Sequence, residues 1–226
     1  MSKPHLLAIG DIHGCFQALL TLEQLVPFGP ADQLITLGDY VDRGPKSREV
    51  LDWLIARNEQ GRLIALRGNH DIMMMESRFS RTDRGDWLRA GGNTTLASYG
   101  SPEQPGTLED IPDEHWNFLE SVTLPWWLTP THIFVHANLY PSEPMEDQPE
   151  FMLFWERIHI QQEPHYSGKT VICGHSSQKS GLPLNLGHTI CIDTRVYDHG
   201  WLTCLEVETG HYWQANELGE FRTGKL

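Results

Sequence analysis

The sequence predicts an α/β fold of two packed, mixed β-sheets flanked by helices. Three observations carry that reading. The first seventy or so residues alternate short apolar runs with stretches of helical periodicity, the order that parallel strands joined by crossover helices produce. No internal repeat extends this alternation further along the chain. Beyond residue 130, closely spaced apolar runs separated by turn residues call for a second sheet, mixed or antiparallel.

In chain order, HLLAIGD is the first apolar run, and FQALLTLEQLV follows with helical spacing. QLITLGD is the second run and KSREVLDWLIARNEQ the second helix; LIALRGN is the third run and leads into a helical HDIMMMESRF. Residues 77–130 are less regular: the polar SRTDRGDWLRAGGNTT, the Pro-rich SPEQPGTLEDIP and the helical PDEHWNFLESV predict helix and loop laid over one sheet edge. HIFVHAN, a mixed FMLFWERI, then TVICGH, HTICIDT, WLTCLEV and HYWQAN supply the runs expected to form the second sheet. The expected organisation is a single domain over 1–226, with 77–130 as an insertion.

Bulk properties bound the function. At 226 residues, with 39% hydrophobic and 21% charged residues, the chain can bury a substantial core. A net charge of −13 argues against binding nucleic acid, although bound cations can still attract a small anion. The amino terminus lacks a signal-peptide pattern and no apolar run approaches membrane-spanning length, so no membrane partner and a cytoplasmic location are expected. Cys15, Cys173, Cys191 and Cys204 are read as reduced core thiols. Oligomeric state is not legible.

Chemistry concentrates where apolar runs end. GDIHG, GDYVDRG and GNHD place Asp11, Asp39 and Asn69 at strand ends 28 and 30 positions apart, about one crossover unit per step. Parallel strands put their carboxyl ends on one sheet edge, where open α/β sheets bind ligands. The converging set is Asp11, His13, Asp39, Asp42, Arg43, Asn69, His70 and Asp71, and carboxylates this crowded need a cation or a raised pKa. Oxygen and imidazole donors without thiolate favour Mn, Fe, Zn or Mg. His136 and His175 also end apolar runs and join the set. Any one of these pentapeptides alone is an ordinary acidic turn or a core histidine; their recurrence in order weighs against that.

GDIHG, GDYVDRG, GNHD, VHA and GHS, in this order, resemble the PPP family of phosphoprotein phosphatases within the metallophosphoesterases, from residue 10 to about 194. GGNTTLASYG and CIDT look like its bacterial branch. The resemblance implies the calcineurin-like sandwich and two divalent metal ions, manganese first, with Fe, Zn or Mg admissible. It assigns Asp11 and His13 to one ion, Asn69, His136 and His175 to the other, and Asp39 to both. It further implies direct attack of metal-bound hydroxide on phosphorus, phosphate held by Arg43 and by Arg157 of WER, and a leaving group protonated by His70 with Asp42 behind it.

Three residues depart from the family pattern. Asn138 stands where glycine is common, Asp71 replaces the glutamate of many eukaryotic members, and Arg195 follows CIDT where glycine is frequent. Arg195 either adds positive charge near substrate or pairs with Asp193 or Asp198. Arg78, Arg81, Arg84 and Arg89 read as solvated loop charge, and Cys15 as a small core filler rather than a helix-activated thiol. The expected activity is hydrolysis of phosphomonoesters, with a phosphorylated protein or small phosphoester as substrate. A dinucleoside polyphosphate hydrolase is the alternative on the same scaffold; the intact Asp42 speaks against it. A binding module that has lost its chemistry is opposed by the complete motif set.

Overall fold

The computed structural model describes residues 5–29, 31–101 and 103–226. Its first part follows the alternation read from the sequence: β1 (Leu6–Ile9), α1 (Phe16–Leu25), β2 (Gln33–Thr36), α2 (Ser47–Glu59), β3 (Leu63–Ala65) and α3 (Asn69–Glu76). β1 pairs parallel with β2, and β2 with β3. Residues 77–130 carry α4 (Arg81–Trp87), α5 (Asn93–Ser98) and α6 (Asp113–Asn117), as expected for a helical segment. They also hold β4 (Trp126–Leu128), where mostly helix and loop were expected. Three residues are too few to display an alternation, and this strand exists because β5 (His132–Val135) pairs with it antiparallel.

The remaining elements are α7 (Glu150–Phe154), β6 (Thr170–Cys173), β7 (Leu184–Asn185), β8 (Thr189–Cys191), β9 (Leu202–Glu206), β10 (His211–Ala215) and β11 (Phe221–Lys225). Their distribution corrects one expectation. WLTCLEV and HYWQAN, read as second-sheet strands, become β9 and β10 of the first sheet, whose order is β11-β10-β9-β1-β2-β3. β9 runs antiparallel against the side of β1 that β2 leaves unpaired, with Ala8 opposite Leu205. An apolar run reports that it will be buried, not which edge it will pair with. The second sheet, β4-β5-β6-β8-β7, is parallel through β5, β6 and β8 and antiparallel at its margins.

The two sheets pack face to face. Ala8, Ile35, Leu37 and Ile64 of the first meet Phe134, Ile172 and Ile190 of the second. Alternate residues, Leu7 and Ile9 among them, turn to the layer of α1 and α2. Ile133, Val135, Val171 and Cys173 turn to Leu139, Met145 and Leu153 on the far side. Because both faces of the central strands are covered, the strands read as continuous apolar runs rather than alternating ones. All four cysteines are free and buried, and burial pushes the thiols of Cys15 and Cys204 up, so neither is a reactive thiolate at neutral pH. No helix among the described residues is long and apolar enough to cross a membrane.

This core sets the rigidity of everything at its edge. Ile172→Ala, which opens a cavity between the sheets at a fully buried position, is expected to cost about 2–5 kcal/mol of stability. Chemical denaturation checks it; a loss below about 1 kcal/mol would mean that the inter-sheet layer is not the main core.

Candidate metal centre

Six strands end at one place. Asp11 follows β1, Asp39 follows β2, Asn69 follows β3, His136 follows β5, His175 follows β6 and Asp193 follows β8. The two sheets are tied together there, because His136 Nδ1–H donates to the Leu37 carbonyl at 2.8 Å and the His175 amide donates to Asp11 at 3.1 Å.

To turn side chains inward immediately after a strand, the backbone enters the left-handed region. His13, Asp39, Asp42, Arg43 and His175 have φ between 47 and 72°, a conformation costing about 1–3 kcal/mol each outside glycine. Dense hydrogen bonding holds these turns. The Asp39 carbonyl accepts the amides of Ile12 and His13 (3.1 and 2.8 Å). Asp71, fully buried, accepts the amides of Asp39 (3.0 Å), Tyr40 (3.0 Å) and Gly68 (2.8 Å). Gly68 is required by contact rather than by φ: a Cβ there would lie 2.2 Å from the Asp39 nitrogen.

The histidines are oriented by carbonyls. His13 donates Nδ1–H to Val41 at 2.9 Å, which leaves the lone pair of Nε2 facing Asp39 Oδ2 at 3.4 Å. His136 is held the same way, with Nε2 3.5 Å from Asp39 Oδ1 and 3.0 Å from Asn69 Oδ1. His175 is reversed: Nε2–H donates to the Trp155 carbonyl at 3.0 Å, and Nδ1 lies 2.9 Å from the same Asn69 oxygen. Around Asn69 and Asp39, the lone pairs of His136 and His175 therefore face acceptors, which repels unless a cation lies among them; at His13 the Arg43 guanidinium takes that place. Two groups of possible ligand atoms, each within 4.8 Å of one another, share Asp39: His13, Asp39 and His70, and Asp39, His136 and His175. A soft thiolate is lacking from both, so the donor set fits hard or borderline divalent cations.

Electrostatics point the same way. Burial holds the imidazoles of His13 and His136 below their ordinary range and His175 at about 4, so all three are neutral near pH 7 with a lone pair to give. Burial, reinforced by the charges of Asp193 and Asp39, pushes Asp11 well above the carboxylate range. Asp193 is pushed up to about 6, again chiefly by burial. Burial alone would raise Asp39 too, but the surrounding histidines, His136 foremost, outweigh it and hold Asp39 low.

Beside this cluster, His70 donates Nδ1–H to Asp42 Oδ2 at 2.7 Å. Burial would lower His70, yet Asp39 and Asp42 together hold it above its ordinary value. Asp42 is fully buried and receives the Trp87 indole N–H (2.9 Å) and the Thr95 hydroxyl (2.7 Å). Arg43 spans the opening, donating to His13 Nε2 and His70 Nε2, both at 2.9 Å, with its guanidinium 4.3 Å over the Tyr197 ring. Gly91, at φ 129°, lets the 77–130 segment touch this loop: its Cβ would lie 2.9 Å from the Arg43 nitrogen.

Nine of the ten candidate residues thus meet. Arg157 is the exception, exposed on the rim with no side-chain hydrogen bond to the others among the described residues. Arg195 takes the bland reading, paired with Asp198 at 2.5 Å. The other arginines serve locally: Arg78 pairs with Glu120 and lies over Trp116, Arg84 donates to the Ser77 carbonyl, and Arg89 pairs with Asp86. Sequence reasoning missed Asp193, Trp87, Thr95 and Tyr197. Asp193 had a signal, since it ends an apolar run as Asp11 and Asp39 do; Trp87, Thr95 and Tyr197 had none beyond their neighbourhood.

The calcineurin-like phosphoesterase profile matches residues 4–187. Serine/threonine-protein phosphatase 1 of Salmonella typhimurium is 32% identical over 167 residues, 69% of this chain and 70% of that protein. A symmetrical bis(5'-nucleosyl)-tetraphosphatase of Methylobacillus flagellatus is 40% identical over 86 residues, which span 37% of this chain and 30% of the relative's length. A solved protein serine/threonine phosphatase from Saccharomyces cerevisiae matches with a TM-score of 0.63 over 99% of this chain and 79% of that one; at 16% identity this is a likeness of fold.

Asp39 lies in both ligand groups, so Asp39→Asn is expected to retain less metal after dialysis than His175→Asn, as metal content per chain will report. Two tightly held ions in Asp39→Asn would sink the shared-ligand geometry. The pKa directions give a second expectation. Asp193, raised from 3.8 to about 6, holds its proton longer when folded, so its contribution to the metal-free protein is complete below pH ~4 and lost as pH rises through about 6. A cation held by the neighbouring Asp11 would favour the ionised form of Asp193. The gain in thermal midpoint on adding Mn²⁺ should therefore grow between pH 5 and 8; a gain independent of pH contradicts it.

Proposed function

The chain belongs to the calcineurin-like phosphoesterase family, and from that premise we propose that it is a metal-dependent phosphomonoester hydrolase of the protein serine/threonine phosphatase type. The observation that carries the finer reading is the buried Asp42–His70 pair, 2.7 Å apart at the mouth of the ligand cluster. A proton donor with its own carboxylate matters most when the departing oxygen is a poor leaving group, as the alkoxide of serine or threonine is.

In this reading Asp11 and His13 would hold one ion and Asn69, His136 and His175 the other, with Asp39 available to both. Manganese is the proposed ion, with iron, zinc or magnesium compatible with the same donors. When bound, the two ions supply a nucleophilic water at neutral pH and neutralise phosphoryl oxygens. Arg43 offers parallel N–H donors that suit two oxygens of one phosphate, and Arg157, exposed on the rim, is proposed to add a second cation. His70 keeps Nδ1–H on Asp42, so the proton it would give is one carried on Nε2; that edge accepts from Arg43 here, and Arg43 has to turn to the phosphate before Nε2 can carry it. Trp87 and Thr95 fix the Asp42 carboxylate, so the imidazole does not swing as the proton leaves. The proposed substrate is a phosphorylated protein or a small phosphoester.

The name of the Methylobacillus relative supports a second reading, hydrolysis of a dinucleoside tetraphosphate. Specificity constants of one manganese-loaded sample for phosphoserine and phosphothreonine peptides and for diadenosine tetraphosphate separate the two. The peptides are expected to lead, and a strong preference for the dinucleotide hands the assignment to the second reading. The acid role has its own test. His70→Asn is expected to lose about 10²–10⁴-fold on a phosphoserine peptide and far less on p-nitrophenyl phosphate, whose leaving group needs no proton, with metal content preserved. Asp42→Asn and Trp87→Phe are expected to show the same pattern more mildly. Equal losses on both substrates would falsify His70 as the acid.

A further inference from the structure

A groove of about 540 Å³, the size of a ligand site, lies between the loops that follow α7, β6 and β8. Its walls include Arg157, Lys179 and Arg195, with Ile158, Ile160 and Tyr197 between them. Tyr197 is shared with the metal centre, since its ring meets the His13 ring edge-on at 4.9 Å and carries Arg43 on its face. The groove therefore begins where the ligand cluster ends.

Its walls are fastened to that cluster. Asn138, two residues beyond His136, donates its amide to the Arg157 carbonyl at 3.0 Å. Ser176, next to His175, accepts the Ile158 amide at 2.9 Å. The side chain standing where the family commonly has glycine thus positions the basic rim, and the rim does not drift independently of the ligands.

The charge is unusual for this molecule. The chain carries −13 overall, yet three cations and no carboxylate line the groove. Asp198 partly neutralises Arg195, whereas Arg157 and Lys179 have no carboxylate partner among the described residues. Unpaired positive charge beside aliphatic surface suits a ligand with an anionic tip and an apolar stem.

We propose that this groove is a subsite for a second negative charge on the substrate: an acidic side chain within a few residues of the phosphorylated one in a peptide. The proposal rests on the phosphatase reading above. Lys179 and Arg195 select the peptide by charge and take no part in the reaction, whereas Arg157, also proposed to hold phosphate, is left out of the test.

The test compares kcat/KM of the manganese-loaded protein for two phosphoserine peptides, one with aspartates on both sides of the phosphoserine and one with alanines there. p-Nitrophenyl phosphate, too small to reach the groove, is the control. The wild type is expected to favour the acidic peptide about three- to ten-fold, the size of one or two partly exposed ion pairs. The preference should shrink toward unity in about 0.5 M salt. Lys179→Glu should abolish or invert it while turnover of p-nitrophenyl phosphate stays at the wild-type level, and Arg195→Asn should weaken it less, because that guanidinium is partly spent on Asp198. Equal constants for the two peptides, or a preference that survives Lys179→Glu, overturn the subsite while leaving the phosphatase reading intact. A wild type inactive on all three substrates overturns that reading, and the subsite with it.

Discussion

The Asp39 carboxylate sits almost fully buried, one oxygen facing His13 and the other facing His136. A charge placed there is costly to desolvate, and the architecture around it is arranged to make it tolerable. The His70 amide donates to Oδ1 at 2.9 Å. Asp71 holds the Asp39 amide from the other side, and through Tyr40 and Gly68 it pins the whole turn. The left-handed φ values cluster on the same loops because only an abrupt reversal at a strand end brings ligand atoms from several strands within reach of one carboxylate. Backbone strain, amide donors and oriented imidazoles are thus consequences of one requirement: collecting acceptors around a shared anion so that divalent cations complete the charge balance.

The segment between residues 77 and 130 has a role in that arrangement. It reads as an irregular covering over a sheet edge; in the structure its helices pack on α2 and α3. Its chemical contribution is narrower: the Trp87 indole and the Thr95 hydroxyl converge on Asp42, and Gly91 makes the close approach possible. Asp42 in turn orients His70. A carboxylate with a single partner can rotate, whereas one held by an indole, a hydroxyl and an imidazole presents a fixed edge. The Asp42–His70 part of the site therefore depends on a segment outside the sheets that supply the rest of the cluster.

Net charge and local charge run in opposite senses here. The chain is acidic overall and its ligand cluster is carboxylate-rich, yet the mouth of the cluster is rimmed by Arg43 and Arg157 and opens into a basic groove. Low-dielectric walls make such local fields matter more than the sum over the surface. An anion approaching this face meets cations first and carboxylates only behind them.

The parallel half of the first sheet was legible because its strands are buried on both faces and its helices carry one apolar stripe, so period alone separates them. The convergence of the candidate residues was legible because strides of about thirty residues force Asp11, Asp39 and Asn69 onto one edge, and His136 and His175 repeat the strand-end placement. Asp193 obeyed the same rule and was passed over. What no local pattern encodes is partnership. β9 and β10 joined the first sheet because β1 had an unpaired side, and β4 became a strand because β5 lay beside it. Trp87 and Thr95 became partners of Asp42 because the chain folds back over 45 and 53 positions. Asn138, an oddity in the sequence, acquires its purpose only when the Arg157 carbonyl arrives beside it. Periodicity and strand-end chemistry are properties of contiguous residues, so the sequence by itself determined the α/β class and most of the residues that converge at the sheet edge. Strand order, the bracing of the Asp42–His70 pair and the basic groove are contacts between distant residues, and only the tertiary structure could decide them.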